Sequence, residues 1–206
     1  FMALLVSTFT IYLIPGLWGA PLKLISAFPP PLMYAESPYG VGGSTVSVNN
    51  TENKNVEGTK EVIPGVFTFT DYQKGIDYAK SVGKPILLDF TGHACVNCRK
   101  MEQNIWPDSK VIDKLQNDFV LISLYVDENI PLPEEKQYIS ETTGKKIKTT
   151  GNKWSDLQIA KYQMNAQPYY VILDHNENTL NKPVGYTPDV EEYANWLQSG
   201  LNNYNK

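Results

Sequence analysis

The sequence predicts an α/β domain, a mixed sheet lying between helices. Three observations carry that prediction. Short apolar runs of strand length, "PILLDF", "VLISLYV" and "YYVILD", recur along the chain. Most of their residues are apolar on both faces, as in strands buried between two layers. Between them lie segments with helical period and capping signals, such as "TDYQKGIDYAKSVG" and "DSKVIDKLQNDF". The resulting order, β-α-β-α-β-α-β-β-α, calls for one sheet covered by helices.

The chain of 206 residues begins at Phe1 and reads as a piece of a longer protein. "FMALLVSTFTIYLIPGLWGAPLKLISAF" has no charge before Lys23. About 20 apolar residues span a bilayer core, so residues 1–28 are expected to be the end of a transmembrane segment. Pro15-Gly16 would kink or end that helix. A signal peptide is the rival, but it needs a basic start and a small-residue cleavage site. Residues 29–63 are expected to be a flexible linker, because "VGGSTVSVNNTENKNVEGTKEV" is rich in Gly, Ser, Asn and Thr without a hydrophobic period. About 32 residues of such coil reach roughly 30 Å.

Residues 64–206 read as the folded domain. "VFTF" is a short strand. Thr70 or Asp71 caps the next helix, and Gly83 stops it. "PILLDF" is a buried central strand with an acid, Asp89, in its middle. A helix follows Cys95 through "RKMEQNIW", Pro107 interrupts it, and "DSKVIDKLQNDF" resumes. "VLISLYV" is a second buried strand, "KWSDLQIAKYQM" a helix and "YYVILD" a third strand. "HNEN" is a turn and "TLNKPVGY" a weaker strand. "DVEEYANWLQSGLNNY" closes the chain as a helix with Val190, Tyr193, Ala194, Leu197 and Leu201 on its apolar face. Residues 127–152 form an unusually long connection, and such connections carry function or structure of their own. Pro133, Glu134 and Glu135 there suggest a short helix ending at Gly144; "KKIK" after it has no assignment.

With 42% hydrophobic residues the domain has material for a core, and a net charge of −4 leaves no basic footprint for nucleic acid. The two cysteines are Cys95 and Cys98. A cysteine at the start of a helix lies near unpaired N–H groups and the positive end of the helix dipole, which stabilise thiolate. A second cysteine three residues on returns to the same face and can close a small ring. That pattern suits a reversible redox couple; a zinc site, two inert thiols and a static disulfide are the alternatives.

"DF-x4-CVNC" followed by "KME", with "QPYYVILD" some 70 residues later, resembles the thioredoxin superfamily. More narrowly the chain is similar to the C-terminal domain of DsbD-type membrane thiol:disulfide interchange reductases, in which a final membrane helix precedes a periplasmic thioredoxin-like domain. The resemblance implies a thioredoxin-like fold over residues 64–206. It implies that Cys95 attacks, Cys98 resolves, and the two form a redox-active disulfide. It makes Pro168 the cis-proline opposite the couple, with a substrate strand pairing at Gln167. Asp89 becomes the buried acid behind the site and Glu102 a second acid on the same helix. No metal or organic cofactor is implied. Electrons would come from an upstream membrane domain of the same protein and pass to oxidised extracytoplasmic thiol proteins. The location implied is the bacterial inner membrane, with residues 64–206 in the periplasm. The rivals are a haem-maturation thioredoxin of cytochrome c biogenesis, an oxidase, or a thioredoxin-fold binding module with an idle CxxC. The match is looser before Cys95, where tryptophan is replaced by Ala94 preceded by His93. His93 is expected either to touch the thiolate or to be a half-exposed loop residue, and His175 to be plain surface.

Overall fold

β1 (Thr59–Ile63) and β2 (Val66–Phe69) form an antiparallel hairpin at one side of a five-stranded sheet. The computed structural model describes residues 1–14 and 56–205. β2 runs parallel to β4 (Val120–Tyr125), β4 parallel to β3 (Ile86–Thr91), and β3 antiparallel to β7 (Tyr169–Leu173). The strand order is therefore β1-β2-β4-β3-β7. All six residues of β3 and all six of β4 are buried, as their continuous apolar character requires for central strands covered on both faces.

The helices supply the cover. α2 (Tyr72–Val82) starts at Asp71, whose side chain accepts from the Lys74 N–H at 3.0 Å, and stops at left-handed Gly83. α3 (Val96–Asn104) follows Cys95, and α4 (Ser109–Asn117) is capped by Asp108. α5 (Thr150–Tyr162) and α6 (Val190–Tyr204) are capped by Thr149 and Asp189. Two cores result. Leu87 and Leu121 on one face pack with Met101, Trp106, Val111, Tyr193 and Leu197 from α3, α4, α6 and the α3–α4 turn. Leu88, Phe90 and Ile122 on the other pack with Ile76, Ala79 and Trp154 from α2 and α5. Each such side chain contributes about 1.5–3 kcal/mol by leaving water. Of the apolar face predicted for the last helix, Tyr193, Ala194 and Leu197 are buried, and Val190 and Leu201 pack at the edge of the core.

The structure corrects the sequence reading in several places. Thr59–Ile63, placed in the linker, is the edge strand β1; its partner β2 completes a backbone ladder that composition does not reveal. The helix expected after Pro133 is a single 3-10 turn, Glu134–Lys136. β5 (Tyr138–Ile139) and β6 (Lys146–Ile147) then form a small hairpin, so "KKIK" supplies a strand. Gly144, at φ 69°, serves the hairpin turn and ends no helix. "KWSDLQIAKYQM" starts three residues late, since α5 begins at Thr150. "TLNKPVGY" makes isolated bridges at Thr179 and Val184 rather than a strand, because Pro183 has no N–H to extend a ladder. At the N-terminus α1 (Met2–Leu13) is helical, and among the described residues no helix is long and apolar enough to cross a membrane. The expected kink at Pro15-Gly16 and most of the expected linker lie outside the described residues.

Candidate functional site

The first residue of α3 is preceded by Cys95, which takes the N-cap position. Its Sγ accepts from the Cys98 N–H at 3.1 Å, the hydrogen bond that an oxygen makes in an ordinary cap. Cys95 and Cys98 are joined as a disulfide. Their exposure differs: Cys95 is half-buried, whereas Cys98 is 1% exposed. A helix start thus presents one sulfur outward, next to N–H groups that favour thiolate, and keeps its partner inside.

Behind the couple lies a charged cluster in an apolar wall. β3 turns Asp89 toward the same face as Leu87, which is the face α3 covers. Asp89 is 2% exposed and Glu102, on α3, 5%. Arg99, also on α3 and 2% exposed, donates from Nη2 to Glu102 Oε1 at 2.7 Å, with longer bonds of 3.4 Å to Thr91 Oγ1 and the Gly92 carbonyl. Ser123 Oγ donates to Asp89 Oδ2 at 3.2 Å, and Thr68 Oγ1 donates to Ser123 Oγ at 3.0 Å. A row of polar side chains therefore crosses β2, β4 and β3 inside the core. Burial pushes Asp89 up to about 7, although the Ser123 hydroxyl and the Arg99 guanidinium both pull it down. Burial likewise lifts Glu102 to about 8, against Arg99 and with the help of Asp89. Burial thus holds both carboxyls above the usual carboxylate range.

The Gln167–Pro168 peptide bond is cis, and Pro168 is buried at the start of β7. Its loop is held by Gln158, a fully buried residue of α5. Gln158 Nε2 donates to the Ala166 carbonyl at 2.9 Å, and Gln158 Oε1 accepts from Gln167 Nε2 at 2.9 Å. His93 is half-buried; its Nε2 lies 3.1 Å from Glu128 Oε2, and its ring stacks on Tyr125 at 4.2 Å between centroids. His175 is a correction to the sequence reading. It is half-buried rather than plain surface, with Nε2 2.9 Å from the Lys84 carbonyl and 3.2 Å from the Tyr204 hydroxyl.

The structure thus gathers Cys95, Cys98, Asp89 and Glu102 on the α3 side of the sheet. Sequence reading missed Arg99, Ser123, Thr68 and Gln158. A signal existed for two of them, since Thr68 in "VFTF" and Ser123 in "LISLY" are each the one polar residue amid apolar neighbours, as Asp89 is in "LLDF". Nothing in the sequence marked Arg99 as buried among the other charges of its helix.

A family model described as a thioredoxin-like domain matches residues 72–201. The thiol:disulfide interchange protein DsbD of Campylobacter jejuni (strain RM1221) is 44% identical over 46 residues. That match spans 22% of this chain and only 8% of the relative's length. Among solved structures, DsbH oxidoreductase is similar with a TM-score of 0.49 at 22% identity, covering 74% of this chain and 95% of that one. The C-terminal domain of Neisseria meningitidis DsbD in the reduced form has a TM-score of 0.46 at 14% identity, covering 65% and 99%.

Proposed function

The chain belongs to the thioredoxin-like domain family, and on that premise we propose that it is a protein-disulfide reductase working through Cys95 and Cys98. In the dithiol state the Cys95 thiolate attacks a sulfur of an oxidised partner protein. The partner's S–S bond breaks, a mixed disulfide forms, and one partner sulfur leaves as thiolate. Cys98 gives its proton to Asp89 and attacks Cys95 Sγ. The Cys95–Cys98 bond closes, and the second partner sulfur leaves as thiolate. Two electrons have then passed to the partner, and a dithiol donor must return them. Glu102 holds a second proton and adds negative field when ionised. Pro168 and Gln167 form the ledge on which the partner strand lies.

The donor in this reading is a membrane domain upstream, and residues 64–206 work in the periplasm, tethered to the inner membrane through residues 1–28. The 46-residue likeness to a thiol:disulfide interchange protein supports that assignment. The observation that carries the reductase reading is a half-exposed Cys95 over a buried Cys98 backed by two carboxyls of raised pKa. Negative charge behind the couple opposes the thiolate, and oxidants of this superfamily depend on a strongly stabilised thiolate.

The test has two parts. The Cys98→Ser variant should trap mixed disulfides with oxidised proteins and Cys95→Ser should not; equal trapping by both would sink the assignment of roles. The potential of the couple should lie nearer that of thioredoxin, about −270 mV, than that of a strong oxidant, about −120 mV. A value at the oxidant end would make the protein an oxidase, and a chain that fails to reduce insulin from a dithiol donor would be a binding module.

A further inference from the structure

Asp127 follows β4 and reaches back to the loop that carries Cys95. Its Oδ1 accepts from the His93 N–H at 2.8 Å, and its Oδ2 accepts from the Ala94 N–H at 3.0 Å. Ala94 immediately precedes Cys95. The fit is close: a Cβ on Gly92 would stand 3.0 Å from Asp127 Oδ2. The two backbone amides that immediately precede Cys95 in the chain are therefore already engaged.

Asp127 is itself held from both sides. The Val126 N–H donates to the Thr91 carbonyl at 3.0 Å, and the Gly151 N–H donates to the Glu128 carbonyl at 2.9 Å. A Cβ on Gly151 would stand 2.6 Å from both the Glu128 nitrogen and the Val126 oxygen. Backbone lies on the far side of that contact, so nothing there can swing away. The start of the 127–152 connection is wedged between the cysteine loop and the first turn of α5.

We infer that Asp127 is a positioning residue that keeps the couple reducing, by withholding the His93 and Ala94 amides from the Cys95 thiolate, and that Gly151 seats it. This rests on the reading of Cys95–Cys98 as an exchanging couple. N–H donors near a thiolate lower its pKa, and donors engaged elsewhere do not. A less stable thiolate makes the disulfide harder to reduce, so the potential is more negative. The charge of an exposed carboxylate acts weakly across water, so most of the effect comes from the engaged amides.

The experiment uses the full chain with Asp127→Asn, Asp127→Ala and Gly151→Ala. Each is equilibrated against dithiothreitol, and the Cys95 pKa is read from the pH dependence of alkylation. An asparagine keeps at most one of the two bonds, because its nitrogen cannot accept. Asp127→Asn should therefore lower the Cys95 pKa and shift the equilibrium about threefold toward the dithiol, roughly 15 mV at roughly 30 mV per tenfold. Asp127→Ala should shift it further in the same direction, and Gly151→Ala less far. A folded Asp127→Asn protein with unchanged pKa and equilibrium constant would overturn the inference, and it decides even where Asp127→Ala does not fold. A folded, unshifted Gly151→Ala protein would overturn the seat. The dithiothreitol equilibrium needs no protein partner, so a wild-type chain inert toward insulin would remove the reductase reading alone.

Discussion

Two pairs of carboxylates flank the Cys95–Cys98 couple in opposite surroundings. Asp89 and Glu102 lie behind it in the core and share the buried cation Arg99. Asp127 and Glu128 lie in front of it at the surface, where they hold two backbone amides and an imidazole. The rear pair shows desolvation outweighing local partners, since Asp89 rises to about 7 despite a hydroxyl and a guanidinium that lower it. For the front pair water does most of the solvating, and what each carboxylate contributes is direction: where a loop sits and which N–H groups are occupied. The same functional group has its pKa raised by burial in one place and fixes loop geometry in the other.

The largest expected effect that separates the two pairs is at Arg99. Replacing it with methionine removes the cation from between two buried acids. Breaking a buried pair costs about 3–5 kcal/mol when a charge is stranded; here the carboxyls can protonate instead. A loss of about 2–3 kcal/mol is expected at pH 8, shrinking at pH 6, as measured by urea denaturation. A loss that did not change with pH would show that Arg99 only fills space.

Asp89→Asn comes next. Removing the negative charge behind the couple should lower the Cys95 pKa and make the potential less negative by tens of millivolts, at about 30 mV per 1.4 kcal/mol. Resolution of the mixed disulfide at neutral pH should slow, because in the proposed exchange Asp89 takes the Cys98 proton. Stability carries a second signature. A carboxyl whose folded pKa stands above its unfolded value stabilises the fold while protonated. That contribution is complete below about pH 4 and is lost as pH rises through about 7 for Asp89 and about 8 for Glu102. The oxidised wild type should therefore lose stability from pH 5 to 9, and Asp89→Asn should lose less. Identical slopes, with potential and rate unmoved, would leave Asp89 a structural acid.

Ser123→Ala should be milder. It deletes one buried hydrogen bond, for about 1 kcal/mol, and removes a group that holds Asp89 down. The pH at which resolution reaches half its maximal rate should move upward, which stopped-flow quenching of the tryptophans can follow. Glu128→Gln should be the smallest, within about 0.5 kcal/mol, because its contact with His93 is partly open to water. A cost at Glu128 equal to that at Arg99 would erase the distinction between front and rear.

Much of this molecule is legible along the chain, because its signals are local. Asp71 and Gly83 bracket α2 through hydrogen bonds made within one turn, and "PILLDF" and "VLISLY" are apolar enough to declare themselves central strands. Cys95 and Cys98 are three apart, so helix geometry alone brings them to one face. β1 and the β5–β6 hairpin were not legible, since "TKEVI", "YI" and "KI" have too few residues for a period and gain strand character only from a distant partner. The short hairpin also borrowed a glycine that reads equally well as a helix stop.

What the sequence alone determined, then, is the pair of cysteines at a helix start, the strand that carries Asp89, and the order of the longer strands and helices around them. Which charges share the core was decided only by the tertiary structure. Asp89 and Ser123 are 34 residues apart and meet through the parallel register of β3 and β4. Asp127 meets the loop before Cys95 because β4 ends beside β3, and Gly151 lets α5 close on it. The reason is physical: a carboxylate's pKa and its hydrogen-bond partners depend on what excludes water from it. For these residues the excluding atoms come from other strands and helices, at separations no local pattern encodes.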